Sequence, residues 1–216
     1  MRIDKVILKA VLSTLLAIIV LCGVMVTALV FLYPSTLMEI SYNVGMDSAS
    51  AWFADRAYNQ SDNIYYIGYA TEVAIGAKNP EPEAIEKYGE KFIADEQFPK
   101  YCAEMDESSA EAGITGSYAQ YIYGQVYAAK YRLGKKAEAV EAAFAVNRDS
   151  FPRNNAVVAV LFAALDDGSG GDIETMGLLL DGMQELKTQA TDFPDEDLDY
   201  LNALIKLTAE RMDELS

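Results

Sequence analysis

The chain has 216 residues, no histidine, two cysteines, and 33 acidic against 17 basic side chains. A Ser-His-Asp or Cys-His centre needs imidazole, as does a histidine-ligated metal, and two thiols are too few for a zinc or iron–sulfur cage in one chain. The acidic excess repels a phosphate backbone, so nucleic acid is not an expected partner.

Charge is segregated along the chain. Residues 1–9 carry Arg2, Lys5 and Lys9 against Asp4, residues 10–38 carry none, and the remainder holds 14 basic and 32 acidic groups, a net of −18. Residues 10–33, AVLSTLLAIIVLCGVMVTALVFLY, are uncharged and as a helix rise about 36 Å, more than the roughly 30 Å hydrocarbon core of a bilayer. They predict a transmembrane helix. Ser13, Thr14 and Thr27 can bond to their own helix backbone, and Phe31 and Tyr33 fall in the aromatic-belt position before Pro34. A cleavable signal peptide has a shorter apolar core and a small-x-small exit, which Leu29-Val30-Phe31-Leu32-Tyr33 does not supply. Cys22 follows Leu21 in mid-span, the wrong context for a lipidated cysteine. The run therefore reads as an uncleaved anchor.

Basic residues on the N-terminal flank, with none between Pro34 and Asp55 on the other, predict a cytoplasmic N-terminus and an extracytoplasmic acidic domain. Four segments follow: a cytoplasmic stretch at 1–9, the span at 10–33, a linker at 34–46 and a helical domain at 47–216. Cys102 is a lone thiol outside the span, with a buried structural role expected.

The domain at 47–216 has helical periodicity without Asn-Gly or Asp-Gly hairpin signals. Helices are expected near 47–58, 62–77, 82–95, 97–105, 109–133, 135–148, 152–166, 172–189 and 195–214. Asn79-Pro80-Glu81-Pro82 interrupts one helix and starts the next, Gly134 suits a left-handed turn, and Pro152 and Pro194 open further helices. Connections this short make neighbouring helices antiparallel, an all-α hairpin array.

Two windows repeat. Shifted by 58 residues, Tyr65, Tyr69, Ala70 and Gly76 fall on Tyr123, Tyr127, Ala128 and Gly134. Residues 127–152, YAAKYRLGKKAEAVEAAFAVNRDSFP, run helix, glycine turn, second helix with Ala139, Ala143 and Val146, then Pro152. This stretch resembles the tetratricopeptide family. Tyr127 stands where the family has a small residue and Lys130 where it has an aromatic, and residues 91–116, between the windows, are a non-standard insertion or a degenerate repeat. The resemblance implies stacked hairpins with a concave peptide-binding groove, and on that basis Tyr65, Tyr69, Tyr123, Tyr127 and Tyr131 are candidate partner-binding residues. Packing between helices is the competing role for the same rings.

The loop from Asp166 to Glu174 can be set against a calcium-loop register, with Asp166, Asp167 and Asp172 as candidate ligands. Glycine at the third, fifth and twelfth positions leaves too few oxygens for a strong site, and Asp172 suits the cap of the following helix. Glu83 with Glu86 and Glu138 with Glu141 lie on exposed helix faces without the apolar pocket that acid–base chemistry requires. No phosphate loop, dinucleotide fingerprint or nucleophile elbow is present, so neither a cofactor nor enzymatic activity is expected. Bacterial inner-membrane proteins with one N-terminal span and an acidic tetratricopeptide-like domain are similar in outline and assist exported or envelope proteins. The expectation is a membrane-anchored interaction module for a protein or peptide. The alternative is a surface binder of calcium, a cationic peptide or a wall component through the acidic face.

Overall fold

The computed structural model describes residues 5–114, 116–166, 171–190 and 193–215. Among them the chain is all-α, with eleven helices and no strand. It divides into two compact units, residues 1–73 and 74–216.

In the first unit, α1 spans Lys5–Leu32. Its portion Lys9–Leu32 is long and apolar enough to cross a membrane, and none of it is buried. The polar residues within it return their hydroxyls to the backbone: Ser13 and Thr14 donate to the Ala10 carbonyl at 3.0 and 2.9 Å, and Thr27 to that of Gly23 at 2.8 Å. No hydroxyl of the three is left seeking water in apolar surroundings. The helix breaks at Tyr33 (φ −136°, ψ 50°), because proline disfavours helical geometry in the residue before it. Pro34 then opens α2, Pro34–Asn43. The expected linker at 34–46 is thus mostly helix. α2 packs on α3, Asp47–Ser61, whose small residues Ser50, Ala51, Ala54 and Ala57 are buried. Ser50 Oγ donates to the Met38 carbonyl at 3.0 Å, tying the two helices together. α4, Ile64–Gly76, follows.

The second unit contains α5 (Pro82–Ile93), α6 (Phe98–Glu111), α7 (Tyr118–Arg132), α8 (Lys136–Val146), α9 (Ala156–Leu165), α10 (Ile173–Gln189) and α11 (Asp195–Leu215). One expectation fails here. Residues 109–133 are not a single helix, because α6 ends at Glu111 and α7 begins at Tyr118. Gly113 takes a left-handed backbone (φ 76°), and Ser117 caps the new helix by accepting from Gln120 N at 3.4 Å. Similarly, α9 starts at Ala156 and not at Pro152, since Asn155 accepts from Val158 N at 2.9 Å and fixes the helix start there.

The hairpins stack in a regular way. α7 and α8 are antiparallel around Gly134 (φ 80°). Gln120, at the start of α7, then staples three elements: its Nε2 donates to the Val146 carbonyl, and its Oε1 accepts from Asn147 Nδ2 at 3.0 Å and Ala156 N at 3.3 Å. Gln120 lies beside Ala156 and Gly124 beside Ala159, so α7 and α9 run side by side in the same direction. α8 and α10 do likewise, Lys136 meeting Asp172 and Phe144 meeting Gly182. α11 packs mainly on α10 and enters beside the start of α9, where Asp197 Oδ2 accepts from Phe151 N at 3.1 Å and Tyr200 donates to the Arg153 carbonyl at 3.0 Å.

Cys102 lies in this core at 3% exposure. Burial first, and the nearby Asp106 second, push its thiol up to about 12. At pH 8 it stays protonated, so its alkylation by iodoacetamide is expected to be slow in the folded chain and fast in urea, read from the Cys102 peptide by mass spectrometry. Equal rates in both would contradict the burial.

Candidate binding groove

Of the five tyrosines, Tyr65 and Tyr69 lie in the first unit and Tyr123, Tyr127 and Tyr131 in the second. Tyr65 is exposed, and Tyr69 is half-buried, within hydrogen-bonding distance of Ser50 Oγ (3.0 Å) and with its ring edge-on to Tyr42. On α7, Tyr123 packs against Phe98 and stacks on Tyr127, joining an aromatic cluster with Phe92 and Tyr101. Burial pushes the Tyr123 and Tyr127 hydroxyls up. Tyr127 and Tyr131 are buried, at 8% and 5% exposure, so these two rings serve the core and are not presented to a partner. Their spacing of four places them on one helical stripe, but Tyr127 is covered within the aromatic cluster by its stacking on Tyr123, and Tyr131 lies under Lys136 of α8 and donates to Asp172 at the start of α10.

The opposite side of α7 is open. Tyr121, Gln125, Ala128 and Arg132 follow one another along it, and with Val158, Phe162 and Leu165 of α9 and Leu207 and Arg211 of α11 they line a groove of about 1050 Å³. Asp106 and Ser109 of α6 and Ile114 of the following loop close one side. The groove exists because α11 packs on α10 and stands off α9. Large apolar side chains are consequently left at its surface: Phe162 is 59% exposed, Leu207 52%, Ile114 63% and Tyr121 45%. An apolar lining with a few polar groups suits the burial of apolar side chains from a ligand. Asp106 is held in place by Tyr118 N, which donates to it at 2.6 Å, and Arg211 pairs with Glu214 at 2.8 Å.

Sequence reasoning missed this surface, although a signal was present. The helix AVVAVLFAAL has no polar residue at all, and a helix apolar on every side must be covered on every side or offer a face for binding.

Of the acidic residues singled out in the sequence, Asp172 is engaged in the fold. Asp172 caps α10: its Oδ1 accepts from Thr175 N at 3.2 Å, and its Oδ2 accepts from Thr175 Oγ1 at 2.5 Å and Tyr131 OH at 3.1 Å and meets Lys136 Nζ at 2.7 Å. A calcium ion there has to displace Lys136. Asp166 ends α9 at the groove rim, and Asp167 lies outside the described residues. Among the described residues, no three acidic or cysteine side chains are placed to hold a metal ion.

Around the Gly134 turn, Lys130 is buried between Glu90, at 2.6 Å, and Glu138, while Lys135 pairs with Glu86 at 2.6 Å. Burial pulls the Lys130 amine down, but the two carboxylates outweigh it and leave it raised. Lys130 in turn holds Glu138 below the usual carboxylate range, opposite to the shift a general acid needs. These pairs lock α5, α7 and α8 together.

Compared with known proteins, the chain matches no family model, no curated protein and no solved structure.

Proposed function

We propose that this chain is a membrane-tethered interaction module. α1 spans the bilayer with the basic N-terminal flank in the cytoplasm, and the helical array outside it receives an apolar segment of a protein partner in the groove between α7, α9 and α11. The observation that carries the reading is Phe162, a large aromatic more than half exposed in a concave apolar surface. The same-direction pairing of α7 with α9 and of α8 with α10 supports a tetratricopeptide-type array, whose first helices line the inner face. The charge step from a basic flank to a body of −18 supports the orientation.

The test is a photo-crosslinking amino acid at position 162 in native membranes, with position 100, on exposed Lys100, as control. A discrete adduct from 162 and none from 100 is expected. Phe162→Asp should abolish partner recovery while changing stability by no more than about 0.5 kcal/mol, since an exposed side chain loses little when replaced. Partner recovery unaffected by Phe162→Asp, or no stoichiometric adduct from 162, would refute the groove as the binding surface.

A further inference from the structure

The first unit holds a second site, at the end of the apolar helix. The Arg56 guanidinium of α3 lies 4.4 Å from the ring centroid of Phe31 and 5.0 Å from that of Trp52. Gln60 Nε2, one turn further along α3, donates to the Phe31 carbonyl at 2.7 Å. Arg56 is thereby fixed on the last turn of α1. It is the sole basic residue between positions 34 and 73, and no carboxylate among the described residues pairs with it. Its Nε is buried without a hydrogen-bond partner. Trp52 beside it is 39% exposed, and Tyr33, two residues beyond Phe31 in the chain, is 56% exposed.

Depth decides what such a cation meets. The uncharged run of about 36 Å exceeds the hydrocarbon core, so its last turn reaches the headgroup layer. A cation stacked on Phe31 therefore sits at the level of lipid phosphates, and exposed tyrosine and tryptophan are the residues that favour this layer. Guanidinium presents paired N–H donors matched to phosphate oxygens, and contact with two rings holds it in position without using up those donors. We infer that Arg56, held by Phe31 and Trp52, binds the phosphate of a phospholipid headgroup, with Trp52 seated in the interface beside it. This rests on the reading of α1 as a span and extends membrane contact to α3.

Trp52 is the single tryptophan of the chain, so its fluorescence reports the site directly. The full chain is reconstituted into phosphatidylcholine vesicles, and flotation first establishes whether α1 anchors it. Trp52 emission should then be quenched more by lipid brominated near the headgroup end of the acyl chain than by lipid brominated near the bilayer centre. In detergent, the wild-type chain should retain phosphatidylcholine several-fold better than a phosphate-free galactolipid of the same chains, measured by native mass spectrometry. Arg56→Gln should erase that preference, Arg56→Lys should keep part of it, and both should still float. Ten millimolar inorganic phosphate should leave the retained lipid in place; displacement by it would assign the site to soluble phosphate and overturn the lipid reading. A chain that floats but shows neither quenching nor headgroup preference also overturns it while the anchor stands. A chain that does not float removes the anchor and this site together.

Discussion

Gly89→Val is expected to lower the stability of the full chain by about 3 kcal/mol, a melting-temperature drop of about 9 °C. Gly89 lies in the middle of α5, where helix propensity alone predicts the reverse, since glycine is among the poorest helix formers. A Cβ at this position would sit 2.2 Å from Val126 Cγ2. Val126 is fully buried on α7 and β-branched, with little rotamer freedom to yield. The two helices must separate, and separation loosens the Glu90–Lys130 and Glu86–Lys135 pairs alongside. Thermal unfolding followed by circular dichroism measures the change, and an unchanged or raised melting temperature would show that α5 and α7 do not approach this closely.

Asp172→Asn separates charge from shape. Asparagine retains the size and an oxygen that can accept from Thr175 N, but loses the charge facing Lys136. In the folded chain burial alone would lift the Asp172 carboxyl, but Lys136, Thr175 and Tyr131 outweigh it and hold it at about 2, against an ordinary 3.8. A folded value below the unfolded one means that acid binds the unfolded state first. The stabilisation is therefore complete above about pH 4 and is lost as pH falls toward 2. Wild type should exceed Asp172→Asn by about 2 kcal/mol at neutral pH, with the gap closing across that interval. Parallel urea titrations from pH 7 to pH 2 measure it; a gap independent of pH would show that the charge contributes nothing.

Residues with strong local signals were readable in advance. The uncharged run, the helices α5 and α11 that follow prolines, the Gly134 turn and the Asp172 cap all depend on interactions within a few positions of the chain, whereas α2, opened by Pro34, was read as linker. The break between α6 and α7 was overlooked, although Gly113 and Ser117 carried it, because the apolar spacing on both sides suggested continuity. The tyrosine stripe of α7 was seen, but its environment was not. YAQYIYGQVYAAKYR has apolar or small residues on every side, so periodicity does not mark which side is inside.

The sequence by itself determined that the protein is helical, that a long apolar helix precedes an acidic body, and where most helices start and stop, since propensity, capping and charge are properties of neighbouring residues. Only the tertiary structure decided that Tyr127 and Tyr131 are interior, that Tyr121 and Phe162 face an open groove, and that Arg56 lies on Phe31. Those outcomes depend on which helices approach one another, as at Gly89 and Gly124, and which stand apart, as α11 does from α9; burial is set by partners distant in the chain.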